Sequence, residues 1–489
     1  MGVMSSLACA GCGWIAPRVE EHPYPFRCPR RRPGDDIDHV VVRVLAPDVE
    51  RHSDSPDPNP FIRYRTRLHS YDVATSRGMS DGEYVGIVRR LDASIAAIDG
   101  HGFQTTPFRR CDRLSARLGF GSGGGVFVKD ETGNVSGSHK ARHLMGIMLY
   151  LEVLERLGLA PLPPFLLGSA SDSWPPPTDR RPLATDHRPL ATDHRPLVTD
   201  DRTLAIASCG NAALAAAVVA RAAGWTLDVY VPPSAGASIL ARLRNLGARV
   251  SMCERRPGER GDPSYLRFQE ALSTGALPFC VQGCDNGLTI EGGESLAWEM
   301  IDALGGTRLD RLIVQVGGGA LATACVQAFR EALAFGTIER LPRVHAVQTQ
   351  GGHPLARAFD LVSTRIRARA VPAESVIREE MAFARARRSQ FMWPWEKEPH
   401  SAAHGILDDE TYDWAAVVEG MLLSDGHAIV VDEPTLEAAN RLAREETSVN
   451  VDHTGSAGLA GLLQLMAGPN APSPDERVAV IFSGVKRQR

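Results

Sequence analysis

The chain is predicted to fold as an α/β protein with mostly parallel sheets, and three observations carry that prediction. From Val126 onward, short β-branched runs alternate with apolar-periodic stretches of helical length. Gly- and Ser-rich segments follow several of these runs, at the carboxyl ends where parallel sheets bind ligands. The composition is globular, 43% hydrophobic and 23% charged, with 46 Gly and 33 Pro for frequent turns. A length of 489 residues predicts roughly two to three domains or subdomains. The formal net charge of −4 disfavours nucleic acid as a partner. No apolar run reaches bilayer length and residues 1–30 lack a secretory pattern, so no membrane association and a cytoplasmic location are expected. Nine scattered cysteines, an odd number, predict reduced thiols.

In chain order, residues 1–58 read as an N-terminal knuckle and linker. Cys9 and Cys12 form a CxxC and Cys28 lies in PFRCPRRR, three corners that resemble a zinc ribbon. Arg31 stands where the fourth thiolate belongs, with His22 as a substitute, so a degenerate knuckle or a disordered lead segment, without metal, is expected. Residues 31–58, rich in Arg, Asp and Pro, flank one strand-like run, Val40–Leu45, and read as a linker. Ser80 is a cap for a packing helix over Met79–Ile98, with Val85, Ile87, Val88, Leu91, Ile95 and Ile98 near helical spacing.

Strands are predicted at Val126–Lys129, Thr203–Ala207, Leu227–Val231, Arg249–Cys253, Leu312–Val316, Val344–Gln348, Ala428–Val431 and Val478–Phe482. Between Pro176 and Asp201 stand RPLATDH, RPLATDH and RPLVTDD in succession. Each copy has one large apolar residue and a proline, too little for a helix seam, so a solvated insertion over about residues 170–202 is expected.

Chemistry is expected in the loops after the strands. Lys140 opens a long helix after DETGNVSGSH, where the helix N-terminus and nearby Arg142 should disfavour its ammonium form and poise the amine toward a carbonyl. Ser208, Cys209, Gly210 and Asn211 stand at the mouth of a small-residue helix that offers free backbone N–H groups to an anion, with a plain Asn cap as the competing reading. Gly317, Gly318 and Gly319 let the backbone approach a phosphate before an Ala-rich helix. Ser483 places a hydroxyl beyond the last strand. His404 and His453 read as loop or cap residues. A nicotinamide-dependent Rossmann enzyme is rejected, because GGGALA is not GxGxxG and no acidic residue ends a strand about twenty residues on.

Taken together, these loops resemble those of fold-type II pyridoxal phosphate enzymes, the superfamily of tryptophan synthase β chain, threonine dehydratase and threonine synthase. The resemblance covers roughly residues 59 to 489. NVSGSHKAR, Asn134 to Arg142, is similar to the NPTGSFKDR of threonine synthases and implies Lys140 as the Schiff-base lysine. Its SHK triplet resembles the GSHK of tryptophan synthase β chains and implies His139 near the cofactor phosphate. SCGNAA resembles the family's SSGN loop, implying Asn211 at the cofactor 3′-oxygen and Ser208, Cys209 and Gly210 at the substrate carboxylate, with Ser138 also at the substrate. GGGA resembles the GGGG phosphate cup, with Ala320 as its fourth member. Ser483 matches the residue facing the pyridine nitrogen, which favours elimination and replacement at Cβ or Cγ.

The resemblance implies two parallel-sheet subdomains with pyridoxal 5′-phosphate between them. The larger comprises residues 59–140 and 275–489, the smaller 141–274. It also implies a small amino-acid substrate and a homodimer. IEGGESLAWEM from Ile290 and VHAVQ at 344–348 favour the threonine synthase side. Departures weigh against phosphohomoserine: Glu294-Ser295 replaces KT and Ala141 replaces the Asp of KDR, which sets a carboxylate where a phosphorylated substrate prefers positive charge. The SCGN loop also lacks the glutamate loop used for indole condensation. A catalytically silent relative that keeps the cofactor or an amino-acid ligand is the reading of another class.

Overall fold

A computed structural model describes residues 5–32, 34–46, 55–159, 203–259, 261–369 and 373–487. The tandem repeat lies outside the described residues. The strands are β1 (Ser5–Cys9), β2 (Val41–Leu45), β3 (Phe108–Arg110), β4 (Gly125–Asp130), β5 (Thr203–Ala207), β6 (Thr226–Val231), β7 (Arg249–Met252), β8 (Leu277–Pro278), β9 (Arg311–Gln315), β10 (Arg343–Thr349), β11 (Ala428–Val431) and β12 (Arg477–Phe482).

They form three sheets. The largest runs β11-β10-β9-β12-β4-β3, parallel throughout except for the antiparallel edge pair β3–β4. The second, β7-β6-β5-β8, is wholly parallel. Parallel strands covered on both faces need apolar side chains on both, and β9 is buried at every position, as is β12 after its first residue. All eight strands expected from the sequence are present. The short strands β3 and β8 carry too few residues to show a period.

The helix Asp81–Asp99 starts with a capping box in which Ser80 Oγ accepts from the Glu83 N–H and the Glu83 carboxylate accepts from the Ser80 N–H, and it ends on Gly100 in the left-handed region. Its buried stripe is Tyr84, Ile87, Val88, Leu91 and Ile95.

The helix Lys140–Arg156 is buried along almost its whole length, from Ala141 to Leu154. It crosses the helix Thr289–Leu304 where glycines meet: a Cβ on Gly146 would lie 2.9 Å from Gly292 Cα. That close approach fixes the position of Lys140 at the helix start.

The stretch expected as a linker takes part in a third sheet, because β2 pairs antiparallel with β1, Cys9 opposite Val41 and Ser5 opposite Leu45. Its Arg43 is buried among Glu291 and Glu294 of the helix Thr289–Leu304 and Glu331 of the helix Ala320–Ala334.

Candidate active site

β4, β12 and β9 are adjacent and parallel, so the chain leaves Asp130, Phe482 and Gln315 at one edge of the sheet. The Lys140 loop, Ser483 and Gly317–Gly319 are therefore neighbours by topology. In the first of these loops Asp130 accepts from the Thr132 N–H at 2.9 Å and its hydroxyl at 2.7 Å. Ser136 (φ 55°) and Gly137 (φ 70°) follow in the left-handed region and turn the chain into the helix that Lys140 begins.

His139 precedes that helix and is tied to Ser483. Its N–H donates to Ser483 Oγ at 3.1 Å, and its Nδ1 shares a second hydrogen bond with the same hydroxyl. Burial, reinforced by the Lys140 charge, holds the His139 imidazole well below its usual pKa and hence neutral.

Lys140 is half-buried, and burial lowers its pKa while the carboxylates of Asp408 and Asp413 oppose that fall. Arg142 plays no part in poising it, contrary to the expectation from spacing. Its guanidinium is fully buried and bonded to Glu131 (2.8 and 3.0 Å), Glu299 (2.7 and 3.0 Å), Ser295 Oγ (3.1 Å) and Thr106 Oγ1 (3.2 Å). Lys129 pairs with Glu299 from the other side, so two cations and two carboxylates compensate one another beneath the Lys140 helix.

The glycine turn is closed from above by residues 408–413. A Cβ on Gly317 would overlap the Asp408 carboxylate, and one on Gly318 would lie 3.1 Å from the Tyr412 ring. Gly319 has φ +104° and a Cβ there would lie 3.1 Å from Asp413 Cβ. The turn thus requires glycine at each position, and buried Ala320 starts the helix Ala320–Ala334 behind it. Burial raises the Asp408 pKa to about 6, against the favourable influence of Lys140 and the Gly318 N–H. Asp413 is raised to about 7 by burial, and its Oδ2 accepts from the Gly283 N–H at 3.1 Å.

After β5, Ser208 Oγ accepts from the Gly210 N–H at 3.3 Å, and Cys209 is half-buried with its thiol pKa raised by burial. Asn211 is not a cap. Gly210 holds that position, and Asn211 Oδ1 instead accepts from Arg487, which also donates to Ser136 O at 2.6 Å. Arg487 thereby links the Ser208–Asn211 loop to the loop that carries Lys140. His453 begins a helix capped by Asp452, and His404 is exposed, in keeping with their reading as loop or cap residues.

Glu294 does not present its charge to this site, since it is buried and ion-paired with Arg43. Ser295 hydrogen-bonds Arg142 and Gly292 O. The carboxylates that do face the site, Asp408 and Asp413, were missed because they sit in a loop with no periodic pattern and no motif. Arg487 was missed for the same reason, 276 residues from its partner Asn211.

A phosphorylated aldehyde cofactor fits these residues. Ser138 Oγ and His139 Nε2 are buried beside Lys140 and have no hydrogen-bond partner among the described residues. The glycine turn already accommodates an anion, the Asp408 carboxylate, which the Gly318 N–H stabilises.

Parallel strands, a half-buried lysine at a helix start and a glycine anion cup define a cofactor-dependent α/β enzyme. The chain belongs to the pyridoxal-phosphate dependent enzyme family, whose profile matches residues 184–484. It is an enzyme that uses pyridoxal 5′-phosphate. Lys140 lies before the matched span, so its assignment stands on its loop and its surroundings.

The chain is 24% identical to a threonine synthase of Methanocaldococcus jannaschii over 381 residues, 78% of this chain and 74% of that protein. It is 28% identical to a mouse serine dehydratase-like protein over 216 residues, 42% of this chain and 61% of the other. Among solved structures, a threonine deaminase from T.th. superposes with a TM-score of 0.51 at 19% identity, over 82% of this chain and 99% of that one. An L-serine ammonia-lyase from Rhizomucor miehei gives 0.52 at 18%, over 78% and 94%. These structures share the fold-type II architecture expected from the loop motifs. No helix among the described residues is long and apolar enough to cross a membrane.

Proposed function

We propose that the protein carries out elimination or replacement at Cβ or Cγ of a small amino acid, with Lys140 as the residue that holds the cofactor and moves the substrate's Cα proton. The observation that carries this reading is the meeting of Lys140, the glycine cup and Ser483 at one sheet edge. Gly317–Gly319 and His139 would hold the phosphate, Asn211 the 3′-oxygen, and Ser483 the ring nitrogen. Bound there, the cofactor supplies the electron sink for carbanion chemistry at Cα.

The protein's own groups do the rest. The depressed Lys140 pKa leaves a fraction of its amine free to accept a proton, and Asp408 and Asp413 stabilise the ammonium that results. Ser138, Ser208, Cys209 and Gly210 would bind the substrate carboxylate through hydroxyls and helix-mouth N–H groups. The 408–413 loop, packed on the cup, would exclude water.

Phosphohomoserine, the substrate of a threonine synthase, is the second reading. It is favoured by the pairing of Glu294 with Arg43, which removes the carboxylate expected to repel a phosphorylated substrate, and by the threonine synthases among the relatives. We further propose a cytoplasmic location, which cell fractionation tests, and a homodimer, which light scattering of the purified protein tests.

Turnover settles the choice. The cofactor-loaded protein is offered serine, threonine, phosphohomoserine, phosphoserine and diaminopropionate, with ammonia and phosphate release followed separately. Ammonia release from serine or threonine identifies a dehydratase. Phosphate release from phosphohomoserine identifies the second reading. Binding without either product, equal in wild type and Lys140→Ala, would instead fit a catalytically silent relative.

A further inference from the structure

The N-terminal segment brings His39, which no sequence motif singles out, to the three cysteines of the ribbon-like pattern. Cys9 ends β1, Cys12 lies in the turn after it, Cys28 comes from the following loop, and His39 stands two residues before β2. Their three Sγ atoms and an imidazole nitrogen all lie within 4.8 Å of one another, and all three thiols are free. Cys9 Sγ is 3.4 Å from His39 Nδ1, and Cys12 Sγ is 3.6 Å from Cys28 Sγ. A tetrahedral zinc with Zn–S about 2.3 Å and Zn–N about 2.0–2.1 Å spaces its ligands at about 3.8 Å (S to S) and about 3.6 Å (S to N). These two observed spacings lie within about 0.2 Å of those values.

A second observation is independent of the cluster. The other ring nitrogen of His39, Nε2, is hydrogen-bonded at 2.9 Å to Asp35 Oδ2. A carboxylate on the far nitrogen orients a metal-binding histidine and raises its basicity. His22, the substitute suggested by the sequence, is not in the cluster and packs edge-on against Trp14.

We propose that Cys9, Cys12, Cys28 and His39 form a structural Cys₃His zinc site that closes the β1–β2 hairpin and docks it behind the active site. Three thiolates and a neutral imidazole would bind Zn²⁺, their displaced thiol protons passing to solvent, with no position left open for substrate. The segment has direct routes to the catalytic loops. Arg27 and Arg31, on either side of Cys28, pair with Asp285 at 3.3 and 3.7 Å, and the Gly287 N–H donates to Phe26 O at 3.0 Å. The same loop, through Gly283, holds Asp413. On the other strand, β2 delivers Arg43 to Glu291, Glu294 and Glu331.

The test is elemental analysis of the full-length protein after expression with zinc and dialysis, together with Co²⁺ substitution of the stripped wild-type protein. The expected results are one zinc per chain and the intense visible bands of tetrahedral, thiolate-bound cobalt. Combined Cys12→Ser and His39→Gln substitution should abolish both. Asp35→Asn, which leaves all four ligands in place, should weaken zinc binding by about 10–100-fold. Wild-type protein without zinc above background, or octahedral cobalt lacking thiolate bands, overturns the proposal, as does full zinc retention in the double variant. The cobalt spectrum of the wild type needs no variant to fold, and neither readout depends on the bound cofactor.

Discussion

His139 and Ser483 lie 344 residues apart and are joined by two hydrogen bonds through one hydroxyl, immediately before Lys140. The pair fastens the end of β12 to the start of the Lys140 helix. Ser483→Ala leaves a buried N–H and ring nitrogen without their partner, at an expected cost of about 1–3 kcal/mol. Ser483→Thr, which keeps the hydroxyl, should recover most of it. Urea unfolding of the three proteins checks this, and equal midpoints for Ala and wild type would contradict it.

Arg142 holds Glu131 and Glu299 together beneath the same helix. Arg142→Met leaves buried carboxylate charge compensated by Lys129 alone, a loss expected at about 3–5 kcal/mol. Adding Glu131→Gln to that variant should restore part of the stability, because the remaining pair is Lys129 with Glu299. Denaturant midpoints for the single and double variants measure the coupling.

Asp408 competes with an anion for the glycine cup. Its pKa is raised to about 6, so the carboxyl is neutral below that pH and ionised above it. Repulsion of a ligand phosphate is therefore present above about pH 6 and relieved as pH falls through that value. Asp408→Asn should bind pyridoxine 5′-phosphate, which has no aldehyde for Lys140 to engage, about 10-fold more tightly than wild type at pH 8. At pH 5 the two should be nearly equal. Taking the ratio at each pH cancels the ligand's own titration, and a constant ratio would show that Asp408 is not the titrating group.

Gly293 is a second point where side-chain volume sets the site. A Cβ there would overlap the His143 imidazole, whose Nδ1 is 2.7 Å from Thr289 O. Gly293→Ala should cost about 1–3 kcal/mol through overpacking, readable as a lowered thermal midpoint. His143→Ala in the same chain should reduce the penalty, because it removes the overlapping ring.

The sequence made the catalytic loops legible because each is local: a β-branched run and a Gly or Ser turn, followed by a helix at Lys140, Asn211 and Ala320. That pattern located Lys140, Gly317–Gly319 and Ser483, the resemblance of their motifs to fold-type II loops implied their roles, and the parallel order β9-β12-β4 brings them together. What escaped it depends on long-range contact. His39 completes the cysteine cluster 11 residues beyond Cys28, outside any ribbon spacing, and Asp408 reaches the cup from an irregular loop. Arg142 was misjudged because proximity in sequence to Lys140 says nothing of the carboxylates that surround it in the fold. Glu294 was misjudged likewise, since its partner Arg43 lies 251 residues away.

The central claim is that Lys140 holds the cofactor covalently. Borohydride reduction of the cofactor-loaded protein, followed by proteolysis and mass spectrometry, tests it directly. The account predicts a reduced pyridoxyl adduct on the peptide containing Lys140 and no adduct at any lysine in Lys140→Ala. An adduct on Lys129 or another lysine of the wild type, or no adduct from protein shown to contain the cofactor, would contradict it.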